Sequence, residues 1–176
     1  LGCRIIPYEE DELNNFEKGK GKSRNFSRTQ KRTMRKSYDR YQLRRKYLKQ
    51  VLSKYNMLPT DELNRLPKMQ LWELRNRSVT EKISLTELGR ILLWLNQKRG
   101  YKSSRNNSNL EEKDTKYVAN VKNRYQLIKE QNLTIGQYFY QQLQNDQFFR
   151  VKENVFPREA YIEEFDTICN EQKKYY

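Results

Sequence analysis

Histidine does not occur in the 176 residues. That removes the commonest general base at neutral pH and a frequent metal ligand, and it excludes zinc sites and Ser-His or Cys-His catalysis within this chain. Cysteine is nearly absent too. Cys3 and Cys169 are the two, with no CxxC pair, which argues against a disulfide framework and fits a reducing compartment. Hydrophobic residues are scarce at 35%, a thin supply for a core even with thirteen Tyr to add amphipathic bulk. The expectation is an open, elongated shape, or a piece that leans on further parts. No apolar run approaches the length of a membrane span and no signal peptide opens the chain. It reads as soluble and cytoplasmic, with no membrane partner. Carboxylates spaced for catalysis are missing as well: Glu9, Glu10, Asp11 and Glu12 read as a solvated turn, so a self-contained nuclease is disfavoured. The first residue is Leu1 rather than Met, and an excised fragment is expected.

What the chain has in excess is positive charge, net +14, and the excess is local. Residues 1–27 balance at zero. Residues 28–52, RTQKRTMRKSYDRYQLRRKYLKQVL, hold ten bases against the single acid Asp39. Residues 53–105 sum to +6 and residues 106–176 to −1. A surplus serving only solubility would be spread along the chain. A block of this kind points to a polyanion partner.

The predicted elements are mostly helical. LGCRIIP (1–7) is β-branched and ends at Pro7, which suits a short strand, and EKGKGKSRN (17–25) reads as a linker. Residues 28–54 contain no Gly or Pro. Met34, Tyr38, Tyr41, Leu48 and Leu52 recur along one stripe, which predicts a long helix ended by Asn56 and Pro59 with one side built to pack. A short helical turn is expected over 61–66 and a helix over 69–77. Ser84 and Glu87 form an S-x-x-E capping box that opens a helix with Leu88, Ile91, Leu92 and Leu95 on one face. Gly100 suits the left-handed position that closes it. Helices are expected over 116–131, from the Thr134/Gln137 capping box to about Leu143, and over 157–174. FFRVKENVF (148–156) fits a loop or a short β-ribbon.

Within residues 28–52, Arg28, Arg32, Lys36, Arg40 and Arg44 stand four residues apart. Each step drifts about 40° around a helix and rises about 6 Å, so the ladder winds over nearly half the cylinder, roughly opposite the apolar stripe. Like charges at i, i+4 destabilise a helix by about 0.2–0.5 kcal/mol per pair. Four consecutive pairs therefore cost on the order of 1–2 kcal/mol. Phosphates outside the ladder would remove that cost, because guanidinium forks bind phosphate bidentately. A basic surface helix without a specific partner, and a membrane-surface or calmodulin-target helix, are the other readings. The narrow Tyr-rich apolar side disfavours the membrane one.

A second basic segment, KRGYKSSR (98–105), has four bases and no acid. Arg99, Lys102 and Arg105 suit phosphates, Tyr101 offers a ring to a base or sugar, and Gly100 permits close backbone approach. Arg75 and Arg77 are candidates to extend this surface. Charge alone does not choose RNA over DNA.

These residues carry a resemblance. KRTMRKSYDRYQLRRKYL resembles the arginine-rich bridge helix of the RNA-guided DNA endonucleases of type II CRISPR systems, in particular the compact type II-C-like members. LWELRNRSVTEKISLTELGRILLWLNQKRGYKSSR is similar to the recognition-lobe segment that follows that helix. LGCRIIP with ELNNFEKGKG resembles the end of the first RuvC-like segment, and FPREAYIEEFDTICNEQKKYY resembles a later recognition-lobe helix. The resemblance implies three parts: residues 1–27 as the end of the RuvC-like segment and linker, 28–54 as the bridge helix, and 55–176 as a helical recognition-lobe portion. It implies guide RNA (crRNA and tracrRNA) as partner, with Arg32, Lys36, Arg40 and Arg44 on seed phosphates and Arg28 one turn before them. Arg99, Tyr101, Lys102 and Arg105 would lie on the repeat:anti-repeat duplex. The parent protein would be a magnesium-dependent nuclease of antiviral defence in the bacterial cytoplasm, also binding target DNA. The catalytic RuvC-like Asp and the HNH histidine are not in this sequence, so no cofactor and no cleavage are expected of this chain itself. The alternative is a stand-alone structural RNA-binding protein of ribosomal type.

Overall fold

The computed structural model describes residues 25–98 and 112–176, together with Glu17 and Gly19. Seven α-helices occur among them: α1 (Phe26–Lys54), α2 (Asp61–Asn64), α3 (Lys68–Arg77), α4 (Leu85–Gln97), α5 (Glu112–Glu130), α6 (Ile135–Asn145) and α7 (Arg158–Gln172). A 3-10 turn, Val151–Glu153, precedes α7. The mostly-α class is therefore as the periodicity predicts, with no strand among the described residues. The strand expected at LGCRIIP lies outside them. The chain divides into two compact units, Leu1–Arg44 and Arg45–Tyr176, with the boundary inside α1.

Local chemistry sets the helix ends. The Ser84 hydroxyl accepts from the Glu87 N–H at 3.2 Å while the Glu87 carboxylate accepts from the Ser84 N–H at 2.8 Å. Thr134 and Gln137 repeat the arrangement at 3.3 and 2.9 Å. Both predicted capping boxes form. At the other ends, Asn56 and Asn132 take φ of 56° and 53°, the left-handed region that Asn tolerates. Beyond Asn56, Met57 N–H donates to Leu52 O at 2.8 Å; beyond Asn132, Leu133 N–H donates to Ile128 O at 2.9 Å. Each is a Schellman closure that pairs an otherwise orphaned carbonyl and brings two apolar residues together. Helix α4 stops earlier than Gly100 would place it. It ends at Gln97, with Lys98 extended (φ −105°, ψ 100°), and Gly100 is outside the described residues.

In the unit Arg45–Tyr176 two apolar clusters form the core. One joins Trp72, Ile128, Ile135, Phe139, Leu143, Phe156 and Ala160; the other joins Leu74, Ile83, Leu88, Ile91 and Ile168. Leu92 and Leu95 pack on the second, so the predicted face of α4 is the packed one. Gly89 lets α4 pass against the chain that leaves α1, since a Cβ there would sit 1.7 Å from Met57 O. Buried Gln172 ties the end of α7 to the α3–α4 turn: its amide donates to Ser78 O at 2.8 Å and Glu81 O at 2.7 Å and accepts from Ile83 N–H at 3.2 Å.

Two expectations change. FFRVKENVF is a loop with one 3-10 turn and no ribbon. Its Phe156 is fully buried and its Phe149 packs on the first cluster, which anchors the segment without strand pairing, while Phe148 is 90% exposed. The apolar stripe of α1 is exposed in its first half and covered from the half-buried Tyr41 onward. Leu52 is buried and Leu48 half-buried, but Met34 and Tyr38 are 65% and 63% exposed.

Candidate nucleic-acid interface

The absence of Gly and Pro lets α1 run unbroken for 29 residues, and its four-residue spacing puts the bases in a row. Arg28, Arg32, Lys36 and Arg40 are exposed, and Arg44 is half-buried. Among the described residues no ion pair involves any of these five. The helical cost of the row is thus not offset by acids of the described chain, and the guanidiniums stay available to an outside anion. Lys31 and Arg35 are also exposed, also four apart, and also in none of those pairs. They sit one position ahead of Arg32 and Lys36, about 100° around the helix, and widen the track beyond the ladder read from the sequence. Their own i, i+4 spacing was the signal that could have found them.

Arg75 requires correction. It is fully buried, with its Nε donating to Glu164 Oε1 at 2.7 Å and its Nη2 paired to Glu164 Oε2. Glu164 Oε1 also accepts from Gly136 N–H, in the first turn of α6, at 2.9 Å. The guanidinium lies 5.2 Å from the Trp72 ring, 5.0 Å from Trp94 and 5.9 Å from Tyr161. It stands in the core and is closed to phosphate. Burial pushes the Tyr161 hydroxyl up from its usual range, with the Arg75 charge acting against that rise. Arg77 is exposed, but its Nε donates to Glu81 at 2.9 Å, a hydrogen bond that raises its pKa. Arg90 is part-buried and donates to Leu63 O at 2.9 Å; burial, and then the Arg45 charge, lower its pKa. Arg124 donates to Val155 O at 3.0 Å. These arginines serve the fold.

The other predicted contacts, Arg99, Tyr101, Lys102 and Arg105, lie outside the described residues. Lys98, which begins that segment, is exposed. Among the described residues no group of three or more Cys, Asp or Glu could hold a metal ion, and no helix is long and apolar enough to cross a membrane.

Solved structures carry the same arrangement of helices. Two structures of Campylobacter jejuni Cas9 in complex with sgRNA and target DNA superpose with TM-scores of 0.69 and 0.70, over 87% and 89% of this chain, at 19% identity. The fold is similar to a segment of Cas9. Corynebacterium diphtheriae Cas9 in complex with sgRNA and target DNA matches 94% of this chain at a TM-score of 0.60 and 14% identity. This chain spans only 23% of the first Cas9 and 21% of the second. No family model and no curated protein matches the sequence. At such identities the likeness to Cas9 is one of fold, and it extends well beyond a single long helix.

Proposed function

We propose that this chain is the guide-RNA-binding portion of a type II CRISPR RNA-guided DNA endonuclease, of the compact type II-C-like kind. In this reading residues 1–27 end the RuvC-like segment, 28–54 are the bridge helix and 55–176 begin the recognition lobe. The observation that carries it is the exposed cationic row on α1, in no ion pair among the described residues, in a chain whose fold resembles part of Cas9. Arg28, Arg32, Lys36, Arg40 and Arg44 would hold seed phosphates of the guide. Arg99, Tyr101, Lys102 and Arg105 would hold the repeat:anti-repeat duplex. Sequence would be read by base pairing, while the protein grips backbone and shape. The partners are crRNA and tracrRNA, with target DNA a partner of the parent protein. Magnesium belongs to the parent nuclease, and no residue of this chain is assigned to it.

The test compares position with bulk charge. Arg32→Ala, Arg40→Ala and Arg44→Ala together should weaken guide-RNA binding in a gel-shift titration by on the order of 100-fold or more, as lost phosphate contacts do. Lys173→Ala with Lys174→Ala, on α7's exit, should change it less than about threefold. Equal losses would reduce the ladder to general charge and overturn the reading.

A further inference from the structure

In the unit Arg45–Tyr176 a groove of about 470 Å³ lies between α7, α4 and the last turns of α1. Leu48 of α1, Leu92 and Leu95 of α4, and Ile162 and Phe165 of α7 supply much of its lining. The three leucines are half-buried. Ile162 and Phe165 are 52% and 43% exposed, although both are large apolar side chains. An apolar patch left open in this way marks an interaction surface. The charged residues in its lining, Lys98 and Arg158, are both basic. Leucine and isoleucine offer no donor to a phosphate, and none of the residues proposed to hold phosphates lines the groove.

Such a groove calls for an occupant with apolar side chains and, beside them, acids for the basic rim. Helix α7 carries both. Next to Ile162 and Phe165 it bears Glu159 and Asp166, which are exposed and in no ion pair among the described residues. On the helix these acids sit about 40–60° from Ile162, on the side away from Phe165. Arg158 stands four residues before Ile162 and Asp166 four after it. Two copies of α7 crossing antiparallel, on a two-fold axis at Ile162, therefore set Arg158 of each against Asp166 of the other. Symmetry makes that contact occur twice. Residues 158, 162 and 166 also form one i±4 ridge, the kind that interdigitates between packed helices. We propose that α7 of a second copy of this chain fills the groove, in an isologous dimer with Ile162 and Phe165 at its centre. The proposal goes beyond the RNA reading and does not depend on it.

Sedimentation velocity of the full chain from about 1 to 200 µM tests this, because a dimer forms by mass action. The mass should rise with concentration and stop at that of two chains. Ile162→Asp sets two carboxylates at the axis and should leave a monomer throughout. Its circular dichroism should match the unchanged chain, since Ile162 is half exposed. Asp166→Arg, a change at an exposed position, should weaken the dimer by at least about tenfold, since like charges across an interface are costly. Adding Arg158→Asp to it should recover most of that loss, which restores the pairing in reverse. A chain that stays monomeric, a mass that grows past two copies, or a dimer indifferent to Ile162→Asp overturns the proposal. So does a paired charge swap that recovers nothing. If Ile162→Asp loses helix, the two charge variants carry the test. Guide-RNA binding by gel shift should be unaltered in Ile162→Asp; a clear loss there, with the helices intact, would hand the groove to RNA and overturn the dimer.

Discussion

Arg75 and Arg77 stand two residues apart with identical side chains, yet one is sealed in the core and the other meets water. The difference lies 89 residues away, in Glu164, which turns Arg75 inward. Removing one partner of such a pair leaves the other as an uncompensated buried charge. Arg75→Ala should therefore destabilise the chain by about 3–5 kcal/mol, measured by urea unfolding followed by circular dichroism. Replacing both partners, Arg75→Met with Glu164→Leu, should recover much of that loss, because no charge is left without its mate. A double variant no more stable than the single one would show that the pair itself, rather than charge compensation, carries the stability. Gly136 belongs to the same knot. A Cβ there would lie 2.7 Å from both Arg75 Cγ and Glu164 Oε1, so Gly136→Ala should cost about 1–3 kcal/mol by overpacking in the same assay. None of this was legible in the sequence. Nothing local to Arg75 distinguishes it from Arg77, and the partner that decides its fate comes from another helix.

At the scale of the element, α1 shows how much local pattern does convey. The predicted limits, 28–54, lie within two residues of Phe26–Lys54, because an uninterrupted run of helix formers and an Asn that tolerates φ > 0 act through neighbours in sequence. The two capping boxes were legible for the same reason. The exposure of Met34 and Tyr38 was not, since periodicity tells which residues share a face and not whether anything covers it. The ladder's repulsion gives a test. Lys36→Glu converts two like-charge pairs, to Arg32 and Arg40, into opposite ones. Each conversion is worth roughly 0.4–1 kcal/mol of helix stability. A peptide of residues 28–52 carrying the change should be more helical by circular dichroism than the unchanged peptide, and should bind RNA less well. The unchanged peptide should in turn gain helicity when RNA is added, because phosphates remove the repulsion that the glutamate relieves. If RNA leaves its spectrum unaltered, the row is not answered by phosphate.

For the whole molecule, the number of basic residues overstates the binding surface. Of the 36 lysines and arginines, Arg75 is matched by Glu164, Arg77 bonds to Glu81, and Arg90 and Arg124 donate to backbone carbonyls. The exposed row on α1 is a narrower cationic track than the composition implies, and salt dependence can tell the two apart. If roughly six phosphates are neutralised on a single strand, log K should fall with log[salt] at a slope near −4, about 300-fold in affinity between 50 and 200 mM. If all fourteen excess charges acted together, the slope would approach −10. Filter binding with guide RNA across that range distinguishes a track, a diffuse cloud and, if flat, no phosphate binding. The absence of histidine adds a control. Lysine and arginine keep their charge across pH 6–8 and no imidazole titrates there, so the same slope should be found at both ends of that interval. A slope that steepens toward pH 6 would mean that the guide is held by groups gaining protons, which the cationic row of α1 does not contain.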